Sequence, residues 1–294
     1  MGDRRLGQSW TPVQKLKNDI LFRIASWALW ISRHMTARRR RQMGKLLAQL
    51  AATVLTSTRR RTELRLKANY GDASPVTAME VFGALGQDLG DTLSLLGNCQ
   101  ANDILPLSED AREVLDEALA CGRGVVFCTA HLGPIEVMAA SVAERGYDVV
   151  TLARESYDPR FTEVYNAVRQ PRGVKTIYRG REGMERSMIR ALRDGKLIGF
   201  PMDLAGRGMA TETYNFLGQP TEIPIGPARI ALRLHAPVVV GTPAWGQKGL
   251  HISVEPITTE NIVKQDERTV TQAIVKALER RILNLPAHWV WMHL

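Results

Sequence analysis

Cysteine is scarce in this 294-residue sequence, which has Cys99, Cys121 and Cys128 and no others. An odd count without paired spacing argues against a disulfide framework and suits a reducing compartment. Long apolar runs are also missing. The longest uncharged stretch near the start is "IASWALWIS", Ile24 to Ser32. A membrane span needs roughly 17–25 apolar residues, so the chain reads as soluble or peripheral. Nothing near the start resembles a secretory signal. There is no G-x-S-x-G elbow, no GxxxxGK[ST] phosphate loop and no G-x-G-x-x-G after a strand. The histidines His34, His235, His251, His288 and His293 show no metal-ligand spacing with cysteine or acids. No metal is expected, and His288 and His293 read as packing or interface residues. Acids are rare at one end: residues 1–70 hold 3 Asp and Glu against 16 Lys and Arg, whereas residues 71–294 hold 27 against 23. A basic arm on a slightly acidic body implies a polyanionic partner, either nucleic acid or an anionic membrane surface.

The apolar share of 45% is ordinary for a globular protein and allows a sizeable core. In the arm, Val13, Leu16, Ile20, Ile24, Trp27 and Ile31 recur at spacings of three and four. That stripe predicts an amphipathic helix over residues 13–32. Flanked by Lys15, Lys17, Arg23 and the run Arg38 to Arg41, it fits a helix lying in a membrane interface, or equally one packed on the body. Residues 75–97 look helical, with Gly and Asp breaking the periodicity.

From residue 108 short apolar runs alternate with helices. Ser108 opens a capped helix with acids in its first turn and glycine at its end. Then "GVVFCTA", "YDVVTLA", "GVKTIY" and "KLIGFPM" read as strands separated by helical segments. "PVVVGTPAW" and "LHISVEPI" are two further strands, and residues 266–286 close the chain as a long helix. The pattern predicts an α/β fold: a mostly parallel central sheet with helices on both faces, plus an N-terminal helical lobe. The expected division is a basic amphipathic arm over 1–70 and an α/β domain over 71–294, with its core at about 100–294.

In such sheets ligands bind beyond the carboxyl ends of the strands. His131 stands there, directly after "VVFCTA". Gly133 permits a tight turn, Pro134 suits the first turn of the next helix, and Glu136 falls in that turn. A strand-loop-helix turn can bring side chains five apart together. Glu136 would then orient His131, whose free nitrogen could take a proton from a hydroxyl. The helix N-terminus would offer N–H groups to a developing oxyanion. The spacing alone leaves a packed strand-end histidine equally open.

"HLGPIE" resembles the H-x4-D/E motif of glycerolipid acyltransferases. More specifically, the chain resembles the bacterial lipid A late acyltransferases, a family that includes mycobacterial phosphatidylinositol mannoside acyltransferases. Further blocks match in order: "RRRTELRLKANYGD", "VVTLARESYDPRFTEVYNAVRQPRGVKTIYR", "GKLIGFPMDLAGRG", "YNFLGQPTEIPIGPARIALRLHAPVVVGTPAW" and "ILNLPAHWVWMHL". Together they span about residues 55–294. One departure is Pro134-Ile135, where the family carries Asn-Trp before the acid.

The resemblance implies that His131 is a general base on an acceptor hydroxyl, with Glu136 orienting and stabilising it. The donor is an acyl carrier protein or coenzyme A thioester acting as co-substrate, with no other cofactor. Arg154 and Arg169 bind phosphate of the lipid acceptor or of the donor's phosphopantetheine. Asp203 positions the acceptor or one arginine. Gly133 belongs to the binding loop, and Phe216, Leu217 and Gly218 shape the acyl groove. The expected place is the cytoplasmic face of a bacterial inner membrane, held peripherally on an anionic surface. The acceptor stays open between a lipid A precursor and a lysophospholipid, a phosphatidylinositol mannoside or an aminolipid. A nucleic-acid-binding protein is the remote alternative, although an arm whose stripe is rich in Trp does not suit nucleic acid and no such motif appears.

Overall fold

In the computed structural model the described residues are 9–97, 99–204, 208–247, 249–258 and 266–293. Residues 1–8, residues 205–207 of the block around Asp203, and Leu294 lie outside them. Four long helices come first: α1 (Pro12–Arg33), α2 (Ala37–Val54), α3 (Thr56–Tyr70) and α4 (Ala78–Ser94). A short α5 (Ala101–Ile104) and α6 (Glu109–Ala120) lead into β1 (Val125–Thr129), α7 (Ile135–Glu144), β2 (Val149–Ala153) and α8 (Pro159–Arg169). Then come β3 (Lys175–Tyr178), α9 (Met184–Arg193), β4 (Leu197–Pro201) and the hairpin β5 (Thr211–Phe216) and β6 (Gln219–Pro224). The remainder is α10 (Gly226–Leu234), β7 (Val238–Gly246), β8 (Gly249–Thr258) and α11 (Glu267–Asn284).

Side chains cap these helices, at Ser108 as the sequence suggested and at Thr77 in addition. Ser108 accepts from the Ala111 N–H at the head of α6, and Thr77 with Glu80 forms a reciprocal capping box on α4. Each satisfies backbone donors that a helix start leaves unpaired. Pro134 lies just before α7 and not inside its first turn.

The main sheet runs in the order β3-β2-β4-β1-β7-β8. All neighbours are parallel except β7 and β8. Successive residues of β1 point to opposite faces. Val126 and Cys128 join a core with residues of α9, α10 and α11, whereas Val125 and Phe127 join one with residues of α6 and α7. Both faces are therefore covered, as parallel strands require, and the α/β reading holds.

Side chains join the N-terminal helices to this body, and close packing joins them to one another. Tyr70 donates its hydroxyl proton to the Leu283 carbonyl (2.9 Å). On α8, Arg160 donates to Asp19 of α1 (2.7 Å) and lies 4.5 Å from the Phe22 ring centre. Helices α2 and α4 meet backbone to backbone. A Cβ on Gly86 would sit 2.1 Å from the Gly44 carbonyl oxygen, and one on Gly90 would sit 2.8 Å from that of Arg40. The glycines that interrupt the periodicity of α4 are thus its contact surface.

The apolar stripe of α1 faces away from the body. Val13 is 78% exposed and Trp27 69%, and Leu46, Leu47, Leu50 and Val54 of α2 are exposed as well. Packing on the body, one of the two readings of the stripe, is therefore not what the structure shows.

Gly86→Ala sets two effects against each other. Alanine gains up to about 1 kcal/mol in helix propensity over glycine, but its Cβ meets a backbone carbonyl that cannot rotate away. Overpacking of this kind costs about 1–3 kcal/mol. The variant should unfold at lower denaturant than wild type, and an unchanged midpoint would show that α2 and α4 can slide apart without cost.

Candidate functional site

His131 stands two residues beyond β1, and Asp203 two beyond β4. The parallel register pairs Thr129 with Pro201, and its continuation sets His131 beside Asp203. The Asp203 carboxylate is fully buried. One oxygen lies 2.9 Å from His131 Nδ1, and the other accepts the backbone N–H of His131 (2.8 Å) and the indole N–H of Trp289 (2.8 Å). Burial alone would raise the Asp203 pKa, but the hydrogen bonds from His131 and Trp289 outweigh it and hold the carboxyl below its usual range. Asp203 therefore stays ionised, and Nδ1 of His131 carries the proton that it donates. Nε2 is left for a ligand.

The His131 imidazole is partly exposed. Burial pulls its pKa down, but the hydrogen bond and charge of Asp203, with a smaller contribution from Glu136, carry it above the ordinary histidine value.

This geometry corrects the expected pairing. Glu136, in the first turn of α7, makes no hydrogen bond to His131. It is held by Arg169 of α8, whose Nε donates to one carboxylate oxygen (2.7 Å) and Nη2 to the other (2.5 Å). The pair is nearly buried, at 10% and 11% side-chain exposure, and a guanidinium fork matches a carboxylate in this manner. Glu136 thus reaches His131 only through its charge. Arg169, expected as a phosphate ligand, is ion-paired with Glu136 at the cavity wall. The partners of the Asp203 carboxylate are His131 and Trp289 and not an arginine.

His131, Glu136 and Arg169 line a cavity of about 830 Å³ over the strand ends. Leu152, Met184, Met188, Ile189, Phe200 and Ile230 supply apolar wall. Arg154, directly after β2, lies there without a carboxylate partner among the described residues. Arg179, directly after β3, lies beside it. Burial first, and the charge of Arg154 second, push the Arg179 pKa down, as expected for two cations crowded together. Arg229 and Arg233 of α10 complete the basic wall, with Arg229 bonded to Glu267 (3.0 Å). A smaller apolar cavity, about 70 Å³, adjoins under α7 and shares Glu136 and Arg169 with the larger one.

Other expected residues sit elsewhere. Gly133 has φ +68, and a Cβ there would meet Pro243 at 2.9 Å. Its N–H donates to the His288 carbonyl (2.9 Å), so Gly133 shapes the loop and is not in the cavity wall. The N–H groups of His131 and Gly133 are both taken, and neither serves a developing oxyanion. Phe216 is buried with its ring edge-on to Trp289 at 6.0 Å, and it belongs to the core, not to an acyl groove. Leu217 (φ 51) and Gly218 (φ 72) form the hairpin turn between β5 and β6. Paired positive φ values suit such two-residue turns. Leucine tolerates the strain while its N–H donates to Glu279 (2.6 Å). The opposite end of the hairpin, at Ala210 and Pro224, reaches the cavity.

Sequence reasoning missed Arg179, Arg229, Arg233 and Trp289. Arg179 was findable, because it follows β3 as Arg154 follows β2.

These features define an α/β protein whose strand ends carry a histidine–carboxylate dyad facing an amphiphilic cavity. Residues 15–294 match the family described as bacterial lipid A biosynthesis acyltransferase, and the chain belongs to that family. It is also similar to the phosphatidylinositol mannoside acyltransferases of two strains of Mycobacterium tuberculosis, at 25% identity over 182 residues in each case. Those matches span 60% of this chain and 55% of the relatives.

Asp203→Asn tests the dyad by sign as well as size. Wild-type His131 loses its proton only above the ordinary histidine value, so activity that needs the free base rises with pH through that raised midpoint. Removing the Asp203 charge lowers the midpoint, and the acid limb of kcat/KM should move to lower pH. At the same time kcat should fall by about 10²–10⁴-fold. An acid limb that stays in place would mean that another group sets it.

Proposed function

We propose that this protein is a peripheral membrane acyltransferase that moves a fatty acyl chain from a thioester to a hydroxyl of a glycolipid. The observation that carries this reading is the His131–Asp203 dyad opening on a cavity with apolar and arginine-rich walls. Nε2 of His131 removes the acceptor hydroxyl proton as the oxygen attacks the thioester carbonyl. The ester bond forms, the carbon–sulfur bond breaks, and the imidazolium returns the proton to the leaving thiolate. Asp203 fixes the tautomer and stabilises the imidazolium between these steps. The positive end of α7 and the guanidiniums of Arg154 and Arg179 set a positive field for the developing oxyanion.

The donor is acyl carrier protein or coenzyme A, and its chain lies along the apolar wall. Arg154 and Arg179 suit a phosphate group on either substrate. The name of the mycobacterial relatives favours an acceptor that carries both sugar and phosphate, as a lipid A precursor does too. No further cofactor takes part.

No helix among the described residues is long and apolar enough to cross a membrane. The exposed apolar residues of α1 and α2, beside Arg38, Arg39 and Arg41, suit docking in the interface of an anionic membrane. Acyl-thioester donors and basic flanks favour the cytoplasmic face of a bacterial inner membrane for this surface.

Labelled acyl carrier protein and acyl-CoA, offered with a panel of glycolipids and lysolipids, test the chemistry. Wild type should label one lipid class, and His131→Ala should lose about 10²–10⁴-fold in rate. Undiminished transfer by His131→Ala would refute the mechanism.

Cosedimentation with vesicles containing anionic lipid tests the surface. Leu16→Ser with Trp27→Ser should weaken binding, because each buried apolar Å² is worth about 25 cal/mol. Equal binding by variant and wild type would remove α1 from the interface.

A further inference from the structure

The loop that carries His131 is held from outside its own strand and helix. The Gly133 N–H donates to the His288 carbonyl (2.9 Å), and Leu132 forms an antiparallel bridge with Trp289. The Trp289 indole meets Asp203. Residues 288 and 289 therefore touch the dyad from both sides, and whatever fixes them fixes His131.

The group that fixes them comes from the far end of the chain. The His288 imidazole is buried, and its Nδ1 lies 3.0 and 2.9 Å from the two oxygens of Asp88. Asp88 lies on α4, is itself buried, and does not line the cavity. A buried carboxylate is costly unless paired, and the 200-residue separation of this pair makes it a tie between the N-terminal lobe and the catalytic loop. One turn further along α4, Asp91 is also buried but pairs with Arg41 of α2 (3.4 Å).

We propose that Asp88 is a positioning residue for the transfer reaction: through His288 it sets the place of His131, so that the N-terminal lobe governs the geometry of the base. This rests on His131 being that base. Asp88 acts on the backbone carbonyl that receives the Gly133 N–H and on the Trp289 indole that steadies Asp203. A small displacement of a reacting group is enough to lower a rate by about 10²-fold.

The test compares Asp88→Asn with Asp91→Asn in the full chain. Asp88→Asn should lower kcat about tenfold or more with KM for donor and acceptor unchanged, and should move the nitrogen resonances of the His131 ring. Asp91→Asn removes an equally buried acid from the same helix without touching His288, and should leave kcat and those resonances in place. As a second pair, His288→Asn keeps an N–H donor near the position of Nδ1 and should retain more activity than His288→Ala.

Equal kcat losses in Asp88→Asn and Asp91→Asn, or an unshifted His131 ring in Asp88→Asn, would overturn the proposal. The ring resonances also separate its failure from that of the function. Full transfer by His131→Ala would sink the chemistry and with it the catalytic role of Asp88, whereas the ring resonances of wild type and Asp88→Asn report separately whether Asp88 places His131.

Discussion

The buried carboxylate of Asp203 is where the parts of this molecule meet. It is bonded to the backbone and ring of His131 and to the indole of Trp289. These donors come from the end of β1 and from the C-terminal segment, and the carboxylate itself follows β4. Without such donors an ionised acid at this depth would be untenable. With them it is held ionised, and its charge keeps Nδ1 of His131 protonated. The tautomer of the base is thus a consequence of how two neighbouring strands end.

The order of strands and helices was legible because each strand from β1 to β4 is a short apolar run bounded by a helix. The position of His131 followed from the same pattern. The identity of its partner did not. Glu136 lies five residues away and Asp203 lies 72 away, and only the pairing of β1 with β4, which are not consecutive, brings the latter close. Nothing in a single sequence fixes that pairing. The pairing of Arg169 with Glu136 was hidden for a related reason, since it depends on α8 lying beside α7.

Two other misses have physical causes. The β5–β6 hairpin was invisible because "TETYNF" and "QPTEIP" are half exposed and mostly polar. The groove role of Phe216 was implied by the family resemblance, and an apolar residue in such a loop is as often core. In α4 the interruptions by Gly86, Asp88, Gly90 and Asp91 weakened the helical pattern, yet they are its contact residues. The glycines admit α2, and the acids meet His288 and Arg41. There the departure from an ideal pattern was itself the signal.

The strand order also arranges charge. Reading β1, β4, β2, β3 across the sheet, the strands end in His131, Asp203, Arg154 and Arg179. The negative group lies at the His131 end of this row, and two arginines without a carboxylate partner among the described residues lie at the other. Along this row the cavity meets the histidine on one side and two guanidinium groups on the other. An amphiphile with a neutral hydroxyl and an anionic group would match its two ends to the two sides of this row. The sheet topology thus acts as a compass for the ligand.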